Sequence, residues 1–315
     1  MGGSNLSELC SKGEVEPIYS YLRQIAPDTI EWSDNKNSKS EDDVIKYANG
    51  VWGFRDGDGR TAFHWSIALR NYGLANTLMN EPYRSPVLSE DEDGVTPFMT
   101  ACMVGAPEKF VSLLLEKSVL VYHLFQKCPL LQRQQSVEGG KAENDSGHKA
   151  VGNLGDTEVN PEQGVVLTND APNVSNEVSI SHEPVATYKI VNVEDSMGNT
   201  SLLHVASRGH THLIDFLIKN GADLNHQNRR GQSALHRSVG RGDMETVEKL
   251  LCASKQKINR SKETHRRWMN LQDYRGDSVL FYASMENNED LGRLLLQNGA
   301  NRDLRNKEGK EFWEV

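Results

Sequence analysis

The side chains able to do chemistry in this chain are His, Cys, Asp and Glu, and their spacing decides which chemistry is open. His204, His210 and His212 could bring three imidazole nitrogens to one ion. No cysteine joins them, and no metal is expected there. Cys10, Cys102, Cys128 and Cys252 lie far apart with no C-x-x-C pair, which implies neither a zinc site nor a disulfide framework. Asp91, Glu92 and Asp93 could mimic a catalytic acid–base pair. They precede Gly94 at the tip of a turn, however, where contact with water or a partner is the expected role. Gly57-Asp58-Gly59 and Gly139-Gly140 make no phosphate loop, since neither G-x-x-x-x-G-K-S/T nor a strand-linked G-x-G-x-x-G occurs. A G-x-S-x-G nucleophile elbow is also missing. The chain is therefore expected to catalyse nothing and to carry no cofactor.

What must position the polar residues is a repeat. Five stretches share one frame that starts at a glycine: Gly59-Arg-Thr-Ala-Phe-His-Trp-Ser, Gly94-Val-Thr-Pro-Phe-Met-Thr-Ala, Gly198-Asn-Thr-Ser-Leu-Leu-His-Val, Gly231-Gln-Ser-Ala-Leu-His-Arg-Ser and Gly276-Asp-Ser-Val-Leu-Phe-Tyr-Ala. The glycines are spaced by 35, 104, 33 and 45 residues, and Gly309 follows after a further 33. A period near 33 that opens on T-P-L-H-x-A is the pattern of ankyrin repeats. The expected fold is an all-α ankyrin-repeat solenoid of about six to seven repeats with hairpin fingers.

Each residue type in the frame has a physical task. The glycine takes the positive φ of a hairpin turn. Thr and Pro open a first helix, one as a cap and the other at a position where no helical hydrogen bond is lost. A second helix follows with apolar spacing of three and four, as in Leu213-Ile214-Asp-Phe216-Leu217 and Val247-Glu-Lys-Leu250-Leu251. Asn220-Gly221 and Asn298-Gly299 then end that helix. His64, His210 and His236 stand where histidines are expected to bond between hairpins. In the Gly198 copy Leu203 holds that place and His204 comes one residue late, which loosens the local network.

The ends and gaps depart from the period. Residues 1–33 read as an N-terminal capping repeat, degenerate because one of its faces meets water. Residues 34–52 read as a polar linker, 53–118 as repeats, and 188–315 as repeats with a truncated C-terminal cap. Residues 119–187 are expected to be a long disordered insertion, too poor in apolar residues to offset the entropy of ordering. Near residue 260, Lys255, Lys257, Arg260, Lys262, Arg266 and Arg267 make what reads as a basic loop.

Bulk properties narrow the partners. Of the 315 residues 37% are hydrophobic, and the net charge is −9. The acidic balance argues against nucleic acid and membrane surfaces. Val111 to Phe125, the most apolar stretch, is interrupted by Glu116-Lys117-Ser118 and falls short of a membrane span. The N-terminus shows no basic region followed by an apolar core, so the expected location is the cytoplasm and nucleus.

Recognition is then the chemistry left. Trp65, Arg237 and Tyr282 occupy the same first-helix position, six residues after the frame glycine, and Trp, Tyr and Arg are the types that dominate binding energy. Asp58, Arg60, Asp91, Glu92, Asp273 and Tyr274 are expected at the finger tips beside them. Early fingers are acidic and later ones carry arginines, which implies a partner with complementary patches.

These residues resemble one family more specifically. Asp56-Gly-Asp-Gly-Arg60-Thr-Ala-Phe-His-Trp65-Ser is similar to the second repeat of gankyrin-type proteins, and Asp93-Gly-Val-Thr-Pro-Phe-Met-Thr-Ala to the next. Ser233-Ala-Leu-His-Arg237-Ser and Leu271-Gln-Asp273-Tyr-Arg-Gly276 fit later repeats in the right order. The resemblance implies a monomeric chaperone of proteasome regulatory-particle assembly. It would hold the C-terminal domain of a proteasomal AAA-ATPase subunit in its groove, with Asp58, Arg60, Trp65, Asp91, Glu92 and Arg237 as contacts. The long insertion is a departure from that family. The alternative is an ankyrin adaptor in signalling or transcription that uses the groove together with the insertion.

Overall fold

A computed structural model of the chain describes residues 6–25, 51–80, 85–126, 183–256 and 262–315. Among them all regular structure is helical. Helix α1 (Leu6–Lys12) pairs with α2 (Val15–Ile25), α3 (Ala62–Ala68) with α4 (Tyr72–Met79), and α5 (Pro97–Val104) with α6 (Glu108–Gln126). After α7 (Glu183–Val191) come α8 (Ser201–Arg208) with α9 (Ile214–Lys219) and α10 (Ala234–Val239) with α11 (Met244–Gln256). Then α12 (Lys262–Met269) precedes α13 (Val279–Met285) and α14 (Glu289–Gln297).

The first helices form one continuous stack, with α1 on α3, α3 on α5, α5 on α8, α8 on α10 and α10 on α13. Their sequences explain it. Each after α1 buries a large apolar side chain together with an alanine, such as Phe63 with Ala62, Phe98 with Ala101, Leu202 with Ala206 and Leu280 with Ala283. The small residue lets the next helix approach, and the large one removes about 1.5–3 kcal/mol worth of apolar surface from water. Cys10 and Cys102 belong to this core, where burial pushes both thiols up to about 12.

Helix starts follow the expected caps. Thr96 Oγ1 accepts the Met99 N–H at 3.2 Å, with Pro97 in the first turn. Thr61 with His64 and Ser233 with His236 close reciprocal capping boxes. Leu203 stands in place of that histidine after Thr200, and the Thr200 side chain makes no cap hydrogen bond. Phe281 does the same after Ser278. His64 and His236 serve their own helix starts and also face the following turn, His64 at Val95 and His236 at Asp277, as expected of histidines that join hairpins. His210 instead reaches back to the Met103 carbonyl at 3.0 Å. His226 adds a further link between turns, its Nε2 lying 2.8 Å from the Gly198 carbonyl.

Three boundaries differ from the sequence reading. The region 119–187 is helical at both ends, because α6 runs through to Gln126 and α7 begins at Glu183. The buried stripe of α6 continues as Val111, Leu114, Leu115, Ser118 and Val119, which is unbroken helical spacing, and α7 packs Ala186 and Ile190 beside it. The basic loop is partly a second such outgrowth. Lys255 lies within α11, and Lys262, Arg266 and Arg267 lie on α12. That helix is held by Trp268, 1% exposed, whose indole N–H donates to the Leu224 carbonyl at 2.8 Å. His265 adds bonds to Ser254 Oγ at 2.9 Å and the Asn298 carbonyl at 3.1 Å. Finally Trp52, placed in the polar linker, is buried and stacks on Tyr19. Residues 34–50 of that linker, residues 127–182 of the insertion, and Lys257 and Arg260 lie outside the described residues.

Candidate protein-binding surface

Six turns precede the first helices and the C-terminal 3-10 turn, and they are built alike. In each, Asp or Asn stands three residues before the frame glycine: Asp56, Asp91, Asp195, Asn228, Asp273 and Asn306. Its Oδ1 accepts two backbone N–H groups of its own turn, as Asp56 does from Asp58 at 3.1 Å and Arg60 at 2.9 Å. The same pair recurs at Asp91, Asp195, Asn228, Asp273 and Asn306. Neighbouring turns are tied through backbone, for example Glu92 N–H to the Asp58 carbonyl at 3.1 Å and Tyr274 N–H to the Arg230 carbonyl at 3.0 Å. The frame glycine is required by this closeness as well as by its positive φ. A Cβ on Gly231 (φ 75) would sit 2.7 Å from the Tyr274 nitrogen.

The second polar atom of the turn residue has two destinations. In three turns it holds the side chain nine residues on, at the shared first-helix position. Trp65 Nε1–H donates to Asp56 Oδ2 at 2.6 Å, and Tyr282 O–H donates to Asp273 Oδ2 at 2.8 Å. His204 Nε2 lies 2.8 Å from Asp195 Oδ2. In the other three turns it reaches back to the preceding turn. Asp91 Oδ2 accepts from Arg60 Nε at 3.1 Å, Asn228 Nδ2 donates to Asn199 Oδ1 at 2.8 Å, and Asn306 Nδ2 donates to Asp277 Oδ1 at 3.0 Å. His204 is thus the fourth member of the row containing Trp65, Arg237 and Tyr282. Counting six from Gly198 finds it.

The three histidines His204, His210 and His212 are not brought together. His204 is committed to Asp195, whereas His210 and His212 face carbonyls of Met103 and Ala106. Among the described residues no group of three or more His, Cys, Asp or Glu is placed to hold a metal ion. Burial of Asp195 would raise its pKa, but the hydrogen bonds from Asn199, His204 and Met197 outweigh it and hold the carboxyl below its usual range. Burial pushes His204 down despite that carboxylate.

The residues expected from the sequence to meet a partner divide by environment. Asp58, Glu92 and Tyr274 are exposed at turn tips, Tyr274 at 66%. Trp65, Arg237 and Tyr282 are half-buried on the first helices, and Arg60 lies over the Trp65 ring at 5.0 Å. Asp91 does not belong at a surface. It is 7% exposed, and both of its oxygens are used internally. Asp273 is likewise occupied by its turn and by Tyr282, so these two carboxylates build the surface. Burial pushes the Tyr282 phenol up to about 12, and Asp273 adds to it.

The arginine end is differently furnished. Arg237 makes one side-chain hydrogen bond among the described residues, to Gln232 Oε1 at 3.2 Å. Burial lowers its pKa, and the neighbouring charge of Arg230 adds to that, with Arg208 behind. No carboxylate pairs with Arg208, Arg230 or Arg237 among the described residues. No helix of the described residues is long and apolar enough to cross a membrane.

Comparisons with known proteins agree with this architecture. Residues 198–251 match the family model for ankyrin repeats in many copies, and residues 275–307 match that for a single ankyrin repeat. The chain is 23% identical over 264 residues to a probable 26S proteasome regulatory subunit, p28, of Saccharomyces cerevisiae, which covers 83% of this chain and 80% of that protein. It is 30% identical over 126 residues to a transient receptor potential cation channel subfamily A member 1 homolog of Caenorhabditis elegans. That covers 40% of this chain but only 10% of the channel subunit. The crystal structure of the ankyrin repeat domain of Bcl-3, a member of the IκB family, superposes with a TM-score of 0.53 at 14% identity, covering 99% of this chain and 92% of that one. With its stacked helix pairs and six alike turns, this chain is an ankyrin-repeat protein, an all-α solenoid of a kind that binds other proteins.

Proposed function

We propose that the chain is a non-catalytic chaperone of proteasome regulatory-particle base assembly, acting as a monomer in the cytoplasm and nucleus. Its row of turns and first helices holds the C-terminal domain of a proteasomal AAA-ATPase subunit. The observation that carries this reading is the likeness to the yeast p28 regulatory subunit across 83% of the chain. The placement of Asp58, Arg60, Trp65, Glu92 and Arg237 on turns and first helices of one stack supports it. Trp65 and Arg237 are half-buried, so a partner meeting them needs little further side-chain ordering, which favours affinity. The acidic tips Asp58 and Glu92 stand toward one end and Arg208, Arg230 and Arg237 toward the other, which would set the partner's direction.

Affinity purification of the tagged chain from its own cells, beside an Arg237→Glu variant, tests both function and site. Reversing a half-buried interface charge costs about 2–5 kcal/mol, enough to lose a pulldown. Regulatory-particle ATPases recovered with the wild type and lost with the variant are the expected result. Equal recovery by both would move the site, and absence of ATPases from the wild type would end the proteasome reading.

A further inference from the structure

The choice between Asp and Asn in the turns follows from hydrogen-bond chemistry. Where the side chain nine residues on is a donor, as with Trp65, His204 and Tyr282, the turn residue is Asp, and its second oxygen accepts. Arg237 is also a donor at that position, yet its turn residue is Asn228. The second atom of Asn228 is an N–H, which cannot accept from a guanidinium and instead donates to Asn199. Arg237 is left with Gln232 as its one side-chain partner, half-buried among like charges from Arg230 and Arg208.

We propose that Asn228 is a specificity-determining residue: by not being aspartate, it keeps the Arg237 guanidinium free for a carboxylate side chain of the partner. This deepens the reading of Arg237 as a contact and rests on it. An aspartate at 228 would hold the turn equally well, because Asp56, Asp195 and Asp273 hold identical ones. Its second oxygen would meet Arg237 at the same nine-residue spacing that closes the other three pairs at 2.6–2.8 Å. The site would then be satisfied internally, and an acidic partner would have to displace that ion pair.

The test is a set of full-length chains, wild type, Asn228→Asp, Arg237→Ala, the double variant and Asn199→Val. Each is titrated with poly-L-glutamate and with isolated C-terminal domains of the proteasomal ATPases. Asn199→Val removes the tie between turns without adding a charge, and the preceding turn carries Val95 at the same place. Expected are losses of about tenfold for Asn228→Asp and for Arg237→Ala, no further loss in the double variant, and unchanged binding for Asn199→Val. Binding of poly-L-glutamate that depends on Arg237 and Asn228, without binding of any ATPase domain, would support the inference and defeat the proteasome reading. Wild-type affinity in Asn228→Asp, an equal loss in Asn199→Val, or no carboxylate binding that needs Arg237 would each overturn it.

Discussion

The Arg60 guanidinium lies 5.0 Å from the centre of the Trp65 ring while its Nε donates to Asp91 in the next turn at 3.1 Å. Trp65 in turn donates to Asp56, so four side chains from two repeats form one connected set. A cation over an indole contributes about 0.5–2 kcal/mol depending on its exposure, and the planar guanidinium serves the ring and the carboxylate together. The Trp65 indole is therefore held in place before any partner arrives.

Asp91 should matter more to stability than to binding. Asp91→Ala removes two turn hydrogen bonds and leaves Arg60 unpaired, and should cost about 2–4 kcal/mol in urea unfolding. Exposed Glu92→Ala should stay within about 0.5 kcal/mol of wild type. Equal effects of the two would contradict the placement of Asp91.

Acid should destabilise the stack through His64 and His236. Burial lowers both to about 4 from the ordinary 6.5 of an imidazole. The unfolded chain therefore binds more protons between those values, and stability present above about pH 6.5 is lost as pH falls toward 4. From pH 7 to pH 5 the loss should be about 2 kcal/mol per histidine, read from urea midpoints across that range. A flat profile between pH 7 and 5 would show that these rings are not buried neutral.

Trp268 should act as a core residue although it ends a basic run. Trp268→Ala should cost about 3–5 kcal/mol, and Trp268→Phe about 1–3 kcal/mol through the orphaned Leu224 carbonyl. Thermal or urea unfolding decides this. A change below about 0.5 kcal/mol in both variants would detach α12 from the stack.

Two glycines should respond with opposite signs. Gly292 lies inside α14 with nothing within 4 Å of an added Cβ, so Gly292→Ala should stabilise by about 0.5–1 kcal/mol. Gly231→Ala puts a Cβ against the Tyr274 and Asp273 backbone at positive φ, and should destabilise by more than about 1 kcal/mol. The same variant should weaken partner binding, because it separates the turns that carry Arg230 and Tyr274.

By itself the sequence determined the repeat and its helices, because each local device lies within one turn of chain. Gly59 and its five equivalents mark positive φ at 72–80°, Thr96-Pro97 marks a helix start, and Leu and Ala at fixed offsets mark the stacked face. Trp65, Arg237 and Tyr282 stand at one offset within the same frame. Only the tertiary structure decided which polar residues remain for a partner. Asp91 and Asp273 look like surface charges in sequence, but their partners lie 31 and 9 residues away. His204 joins the first-helix row once Asp195 is beside it. The helical outgrowths were also hidden: Trp268 is buried, and its indole N–H donates to the carbonyl of Leu224, 44 residues earlier. Periodicity reports contacts between residues a turn apart, whereas the donor–acceptor pairing that fixes Asp91, Asn228 and Arg237 is settled between repeats.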